Sequence, residues 1–235
     1  MEEFEIIILI ISGIASLICF FAWYREIFSA WPPCRGKVVK VTLGLLPVIA
    51  SGIIAATLKT LAASDVVDSP VYILFYWVLG LAWLAFGGYF ACYFLDLHWR
   101  EDVLQLNNKA ALCAFSGVFL GSAIVYSGAN IGEGPGWWCV LVAGGLGMAA
   151  WVALAVLVNV ATHASERITV ERDIGCGFRF GFYLLASAVI LGRASSGDWT
   201  SFEMTVVEFG IGWPAIPLAL LAIGAEWMFA KKSHA

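Results

Sequence analysis

The sequence predicts an all-α integral membrane protein of about seven transmembrane helices, with the last four arranged as two tandem helical hairpins. Three observations predict this fold: an apolar composition, seven apolar stretches of membrane-spanning length, and basic residues gathered in alternate connecting loops. Of the 235 residues, 61% are hydrophobic and 13% are charged, whereas soluble domains have about 45–50% apolar and about 25% charged residues. We therefore expect a lipid bilayer as the environment of this chain.

Seven apolar stretches are long enough to cross a membrane, because a hydrocarbon core of about 30 Å requires about 20 helical residues. The first stretch is preceded by Glu2, Glu3 and Glu5, whereas a signal peptide begins with basic residues. We therefore expect this stretch to be a retained helix. The predicted spans are residues 6–24, 41–58, 71–95, 110–131, 137–161, 176–192 and 202–229.

The basic residues predict the orientation of the spans, because cytoplasmic loops are enriched in Lys and Arg. Ten of the 13 basic residues follow the first, third, fifth and last spans, whereas the other loops carry acidic residues such as Asp65, Glu133 and Asp198. This alternation predicts an N-terminus outside the membrane and a C-terminus in the cytoplasm. The ten residues are Arg25, Arg35, Lys37, Lys40, Arg100, Lys109, Arg167, Arg172, Lys231 and Lys232.

Several classes of function lack the residues that they require. The basic side chains are scattered, so we expect no nucleic-acid partner. The six cysteines, Cys34 among them, form no Cys-x-x-Cys pair, and they are expected to be small apolar residues. Hydrolase and zinc-protease motifs are missing from the sequence, so we expect no catalytic residue, metal or cofactor. An enzymatic alternative requires that loops 96–109 and 162–175 form a joint cytoplasmic site.

The second half of the chain contains an internal repeat that follows three N-terminal spans in residues 1–97. Residues 98–165 and 166–235 each start with a polar segment, continue with a glycine-rich helix and return through a second helix. Because each hairpin returns the chain to its starting side, we expect parallel repeats related by an axis along the membrane normal. The outer turns, which begin at a glycine and end at a tryptophan, are residues 128–138 and 192–199.

These hairpin units resemble the bacterial inner-membrane family known as domain of unknown function 350, whose members carry two-helix units singly or in pairs. The resemblance rests on residues 107–111, on the glycine-rich turn that ends at Trp138, and on residues 171–203. It covers roughly residues 101–229. The resemblance implies a location in the bacterial inner membrane and a fold of paired hairpins, and it implies no catalytic residues.

Ionisable residues within the spans are the candidate functional residues, since each costs about 2.5–3.5 kcal/mol at the bilayer centre. Arg193 lies five residues before Asp198, near which the last hairpin turns, and Glu203 lies five residues after it. An ion pair of Arg193 with Glu203 or Glu208 is therefore expected. Straight helices would place Glu226 deeper than Arg179 by about 13 Å, at about 1.5 Å per residue.

Two interpretations of these charges stay open. In the first, ion pairs fix the register of the hairpins. In the second, Glu208 and Arg179 line a polar route for an ion or a small solute, with Glu208 at least about one turn inside its span. Pro214 and Pro217 interrupt the same span, because proline removes a backbone donor. Such breaks occur as plain kinks and also in transporters, where freed carbonyls coordinate cations.

The sequence as a whole predicts a non-enzymatic, channel- or transporter-like component for an ion or small solute. The alternative is a membrane scaffold without translocation, or a subunit of a larger membrane assembly. The glycine spacings Gly117-x-x-x-Gly121 and Gly177-x-x-x-Gly181 permit close helix approach. That approach can occur within the chain, in a homo-oligomer, or with other membrane proteins.

Overall fold

The computed structural model describes residues 2–29 and 36–233, with side chains up to Phe229. The expectations for Cys34 and Arg35 lie outside the described residues. Within those ranges the helices are α1 (Glu3–Ser29), α2 (Lys37–Thr60), α3 (Ser64–Val67), α4 (Pro70–Leu95), α5 (Lys109–Ala129), α6 (Trp137–Thr162), α7 (Ala164–Thr169), α8 (Ile174–Ala194), α9 (Phe202–Phe209) and α10 (Ala215–Ser233), with a π-helical segment at Trp99–Gln105 and a 3-10 turn at Gly210–Gly212.

The predicted all-α membrane fold is confirmed. In the described part of the chain, seven helical stretches are long and apolar enough to cross a membrane by length and composition. They correspond to α1, α2, α4, α5, α6, α8 and the stretch Phe202–Phe229 that contains α9 and α10, and their bounds differ from the predicted ones by a few residues. The short helices α3 and α7 and the π-helical segment lie between these spans.

The parallel pair of α5 and α8 forms the centre of the bundle, and α5 is the most deeply buried of the described spans. A Cβ atom added at Gly117 would lie 2.5 Å from the carbonyl oxygen of Gly181. Towards the far end of the pair, a Cβ atom at Gly128 would lie 2.1 Å from the carbonyl oxygen of Gly192. The two backbones therefore touch along the helices, which only glycine permits at these positions.

Both central helices begin in the same way. The backbone has a positive φ at Asn107 (50°) and Arg172 (57°), and the next residue caps the helix. The Asn108 side chain accepts hydrogen bonds from the backbone N–H groups of residues 110 and 111, and Asp173 accepts one from Cys176. Each cap satisfies backbone donors that lack helical partners. Asn108 also donates to the carbonyl of Ile168 at 2.7 Å, so the cap of α5 is joined to the segment that precedes α8.

At the opposite end of the pair, the two outer turns are hydrogen-bonded to each other. The Gly197 N–H donates to the Ile131 carbonyl at 2.9 Å, and the Trp199 N–H donates to the Glu133 carbonyl at 2.7 Å. In return, the Glu133 N–H donates to a carboxylate oxygen of Asp198 at 2.8 Å. The turns that follow α5 and α8 therefore form one polar layer over the end of the bundle.

The last span does not cross the membrane as one straight helix. The break expected between Gly210 and Pro217 is confirmed, since α9 ends at Phe209 and α10 begins at Ala215. A Cβ atom at Gly212 would lie 3.0 Å from the Cβ of Ala194, which is in the last turn of α8. The chain is thus still beside the outer end of α8 at Gly212, and α10 makes the crossing.

Substitution of Gly117 by alanine is expected to lower the thermal stability of the full-length protein in detergent. The added Cβ atom would meet the backbone of Gly181, and such overpacking costs about 1–3 kcal/mol. Gly145→Ala is the matched control, because a Cβ atom there meets nothing within 4 Å. Thermal unfolding followed by tryptophan fluorescence checks this expectation. Equal midpoints for the two variants would show that the α5–α8 contact does not limit stability.

Candidate functional site

A cluster of one buried and three half-buried charged side chains lies where α6 ends and α8 begins, which is the predicted cytoplasmic end of the bundle. Its centre is Glu226 on α10, which is 3% exposed. One carboxylate oxygen accepts from Arg179 Nε at 2.5 Å. The other accepts from Arg179 Nη2 and from Arg167 Nη1, both at 2.8 Å. Two guanidinium groups therefore bind one carboxylate, the type of hydrogen bond that is strongest in proteins.

Asp173 completes the cluster and balances its charge. Arg167 Nη2 donates to one oxygen of Asp173 at 2.6 Å, while the other oxygen caps α8. Burial acts to raise the pKa of Asp173, but the Cys176 N–H and the guanidinium of Arg167 outweigh it, and the pKa lies below its usual value of 3.8. The cluster thus contains two arginines and two carboxylates, with no net charge.

Arg179 on α8 also lies against an aromatic side chain. The guanidinium carbon of Arg179 is 4.5 Å from the centre of the Phe229 ring, within the range of a cation–π contact. Next to it, a lateral groove of about 280 Å³ lies between α8 and α10, with Tyr183 and Glu226 in its wall. Trp227 donates to the carbonyl of Ala161 at 3.0 Å. α10 is therefore attached to both α6 and α8 at this end.

The separation expected between Arg179 and Glu226 is wrong, because the residues after the outer turn do not all descend into the bundle. Gly212 still lies 3.1 Å from a side-chain atom of Leu191, measured from its ideal Cβ position. From that level, Arg179 is 12 residues away along α8 and Glu226 is 14 residues away along the last span. At about 1.5 Å per residue, these distances are about 18 and about 21 Å, so the two side chains meet.

Sequence reasoning did not identify Arg167 and Asp173 as members of the site. Both stand in a segment rich in charged residues, which is the pattern of a solvated loop. The available signal was an aspartate directly before an apolar helix, which is a capping pattern, with an arginine six residues earlier. Only the fold brings this pair to Glu226, which is more than fifty residues away along the chain.

A second polar site lies at the other end of the bundle, among the outer turns. It is a cavity of about 60 Å³, and we call it the acidic cavity because its wall includes four carboxylates and no basic side chain. The carboxylates are Asp65, Glu133, Asp198 and Glu208. The same Glu133 also accepts from the Ser64 N–H at 3.0 Å. Among the described residues, no group of three or more His, Cys, Asp or Glu side chains could hold a metal ion.

The remaining predicted site residues lie at this outer end and do not pair with each other. Glu208 has a carboxylate oxygen 3.9 Å from the ideal Cβ position of Gly197, so it lies at the level of the outer turn. Glu208 is six residues after the first residue of α9, more than one turn into its span as expected, but this part of the span still lies beside the outer turn. Arg193 donates to the Ser196 hydroxyl at 2.6 Å. Within the described ranges it forms no ion pair with Glu203 or Glu208, and Glu203 is exposed.

Between the two ends, four buried polar atoms have no hydrogen-bond partner among the described residues. A buried polar atom without a partner costs about 1–3 kcal/mol. Native proteins contain few such atoms, and each requires an explanation. The atoms are the hydroxyl oxygens of Ser122 and Ser127, the indole nitrogen of Trp83 and the hydroxyl of Tyr183.

These features define a multi-pass α-helical membrane protein with polar clusters at both ends of its bundle. The family model described as Domain of Unknown Function (DUF350) matches residues 50–195, which is more than half of the chain. The chain therefore belongs to this family, as its motifs indicated. The extent differs from the expected residues 101–229, because the match starts within α2 and ends after α8. It therefore includes part of the N-terminal spans and excludes the last span. None of the curated proteins and none of the solved structures compared with the chain matches it.

Substitution of Glu226 by glutamine is expected to destabilise the protein strongly. The change leaves Arg167 and Arg179 without their buried counter-charge, and removal of one partner of a buried ion pair costs about 3–5 kcal/mol. Glu203→Gln removes a charge from an exposed position of the same span and is the control. The measurement is the thermal unfolding midpoint of each variant in the same detergent. A midpoint for Glu226→Gln equal to that of the control would contradict a stabilising role of the cluster.

The contribution of Asp173 to stability is expected to disappear in acid. Its folded-state pKa lies below the usual 3.8, so its ion pair with Arg167 stabilises the protein at pH values above 3.8 and is lost as the pH falls through the folded-state pKa. Asp173→Asn keeps a good capping residue and removes the charge. The difference in unfolding midpoint between the wild type and this variant should therefore shrink towards low pH. A difference that is constant across the titration would exclude this explanation.

Proposed function

We propose that this membrane protein is a channel- or transporter-like component that moves a small cation across the bacterial inner membrane. The observation that carries the proposal is the set of unpaired buried polar atoms, which lie between the acidic cavity and the charge cluster around Glu226. Buried polar groups without partners are costly in an apolar bundle, and we infer that these groups line a pathway on which an ion or a small solute supplies the missing partner. The proposal includes the predicted orientation, with the acidic cavity outside, the tandem hairpins, and the absence of enzymatic activity.

The outer half of the proposed route starts at the acidic cavity. Asn130 and Ser195 lie in the cavity wall, and Ser127 stands three residues before Asn130 on α5. Further in, Trp83 and Ser122 lie beside the same glycine. The ideal Cβ position of Gly87 is 2.7 Å from the Ser122 hydroxyl oxygen and 3.5 Å from the Trp83 indole nitrogen. A cation or small solute at this point has two groups without hydrogen-bond partners, the Ser122 hydroxyl and the Trp83 indole N–H, beside it.

The inner half continues along α8. Trp151 lies against α5, with a ring carbon 2.5 Å from the ideal Cβ position of Gly121, and its indole nitrogen donates to the Ser187 hydroxyl at 3.1 Å. One turn further along α8, the buried hydroxyl of Tyr183 has no hydrogen bond of good geometry, although it lies close to the Ser187 side chain. Tyr183 shares the lateral groove with Arg179 and Glu226. The series of polar side chains thus ends at the charge cluster.

The negative charge of the acidic cavity favours a cation as the transported ion. Four carboxylates and no Lys, Arg or His line it, and carboxylate rings are the device by which channels select cations. Glu208 and Asp198 come from α9 and from the turn before it. The two outer turns that carry Glu133 and Asp198 are hydrogen-bonded to each other, so these carboxylates have fixed positions.

The alternative function, a scaffold or assembly subunit without translocation, is favoured by a different observation. Each carboxylate oxygen of Glu226 accepts at least one arginine N–H, so the negative charge of Glu226 is neutralised by arginines of the same chain. A satisfied cluster of this kind fixes the position of α10 against α6 and α8. Homo-oligomers or other membrane proteins would then be the partners of the exposed apolar faces.

The test of translocation is cation flux through the purified full-length protein in liposomes. We expect flux above that of empty liposomes, lower flux in Glu208→Gln, which removes a cavity charge, and lower flux in Ser122→Ala, which removes an unpaired hydroxyl. Glu203→Gln is the control, because Glu203 is exposed and is not part of the cavity wall. Fluorescent indicators for K⁺, Na⁺ and H⁺ provide the measurement.

Background flux for the wild type with all three cations would overturn translocation and leave the scaffold function. Unchanged flux in both Glu208→Gln and Ser122→Ala would overturn the proposed route while retaining transport. The orientation is tested separately with a thiol reagent that does not cross the membrane. Cys34 should react with it only when the cytoplasmic side is exposed.

A further inference from the structure

A large groove lies between α1, α4 and the π-helical segment, away from the proposed route. We propose that this groove binds a phospholipid whose headgroup carries a phosphate and an ammonium group, with one acyl chain along α4. The groove has a volume of about 760 Å³, which is within the usual range of about 300–1,000 Å³ for ligand sites. Its lining combines charged residues near the end of α1 and in the π-helical segment with aromatic residues of the second half of α4.

The phosphate would lie at the rim of this groove, where two arginines share a single carboxylate. Arg100 Nε is 3.2 Å from one carboxylate oxygen of Glu26, and Arg25 Nη2 is 3.7 Å from the other. The arginine side chains are 64% and 57% exposed for Arg25 and Arg100, whereas that of Glu26 is 23% exposed. Each guanidinium has five N–H donors, so both keep donors for a phosphate, which arginine binds in a bidentate manner.

The ammonium group would lie next to the phosphate, at Glu101. This residue follows Arg100 directly and lines the same groove, and its carboxylate forms no ion pair with any residue in the described ranges. One spare guanidinium charge and one unpaired carboxylate therefore stand side by side. This arrangement is complementary to a headgroup in which both charges are present on neighbouring atoms, and it is less suited to a purely anionic headgroup.

The wall of the groove suits an acyl chain. Phe86, Tyr89, Phe90 and Tyr93 recur at a spacing of three or four residues and so form one face of α4. From Phe86 to the end of α4 at Leu95 is about 14 Å at about 1.5 Å per residue, close to half of a hydrocarbon core of about 30 Å. The groove therefore extends from the headgroup level to about the middle of the bilayer, which is the length of one leaflet's acyl chain. Tyr93, which is 81% exposed, is near the interface, where tyrosine is favoured.

The experiment is native mass spectrometry of the full-length protein in detergent, titrated separately with phosphatidylethanolamine, phosphatidylglycerol and diacylglycerol of the same chain length. We expect the ethanolamine lipid to bind most tightly, because it alone has both headgroup charges, and diacylglycerol to bind most weakly. The double variant Arg25→Gln with Arg100→Gln should bind the ethanolamine lipid roughly tenfold more weakly. Glu101→Gln should remove its preference over phosphatidylglycerol.

The matched control is Arg172→Gln with Arg193→Gln, which removes two exposed arginines that do not line the groove. Its lipid binding should equal that of the wild type. Tyr93→Ala is a second test variant that keeps every charge and should weaken all three lipids. Equal binding of the three lipids to the wild type would overturn the proposal, as would equal binding of the ethanolamine lipid to the wild type and the Arg25/Arg100 variant. These lipid-binding measurements do not depend on whether the protein transports cations, so they test this proposal separately from the proposed function.

Discussion

The backbone contact between α5 and α8 is the constraint on which the rest of this structure depends. Lipid tails are as apolar as leucine, so helices in a membrane gain little from hydrophobic burial and associate through close packing and hydrogen bonds. Gly117, Gly128, Gly181 and Gly192 let the two backbones touch. The closeness of this pair brings the two capped helix starts together at one end and the two outer turns together at the other. Both polar clusters are built at those ends.

The polar contacts at the ends then hold the less buried helices. The hydrogen bonds of Glu226 attach α10 to α8 through Arg179 and to α7 through Arg167. Glu133 is bonded to the α3 segment and to the turn after α8. Since a lone ionised group is costly within the membrane, a cluster with balanced charges is a way to attach a helix at low energetic cost. Because its charges are balanced within the chain, the cluster is compatible with the scaffold function. It is equally compatible with a transport route that is closed at this end of the bundle.

The two proposals for function and lipid binding concern different surfaces of the molecule. The proposed cation route uses the interior between α4, α5, α6 and α8, where unpaired hydroxyl and indole groups lie. The proposed lipid groove uses α1, α4 and the π-helical segment, with its charges at the rim and its aromatic residues towards the bilayer. α4 contributes to both, with Trp83 facing inwards and Phe86 exposed. A lipid in the groove would therefore pack against a helix that also lines the route.

The sequence by itself determined the membrane class, the number of candidate spans, the break in the last one and the family. These follow from composition, from the length of apolar runs and from proline, all of which act locally along the chain. The tertiary structure alone decided which charges meet. Glu226 was expected to lie deeper than Arg179, but the chain is still beside the outer end of α8 at Gly212. Nearly equal lengths of helix, 12 and 14 residues, then bring the two side chains to the same level. Hydropathy measures whether a segment is in the membrane, but it contains no information on how far each residue advances along the bundle, because that depends on contacts between distant helices.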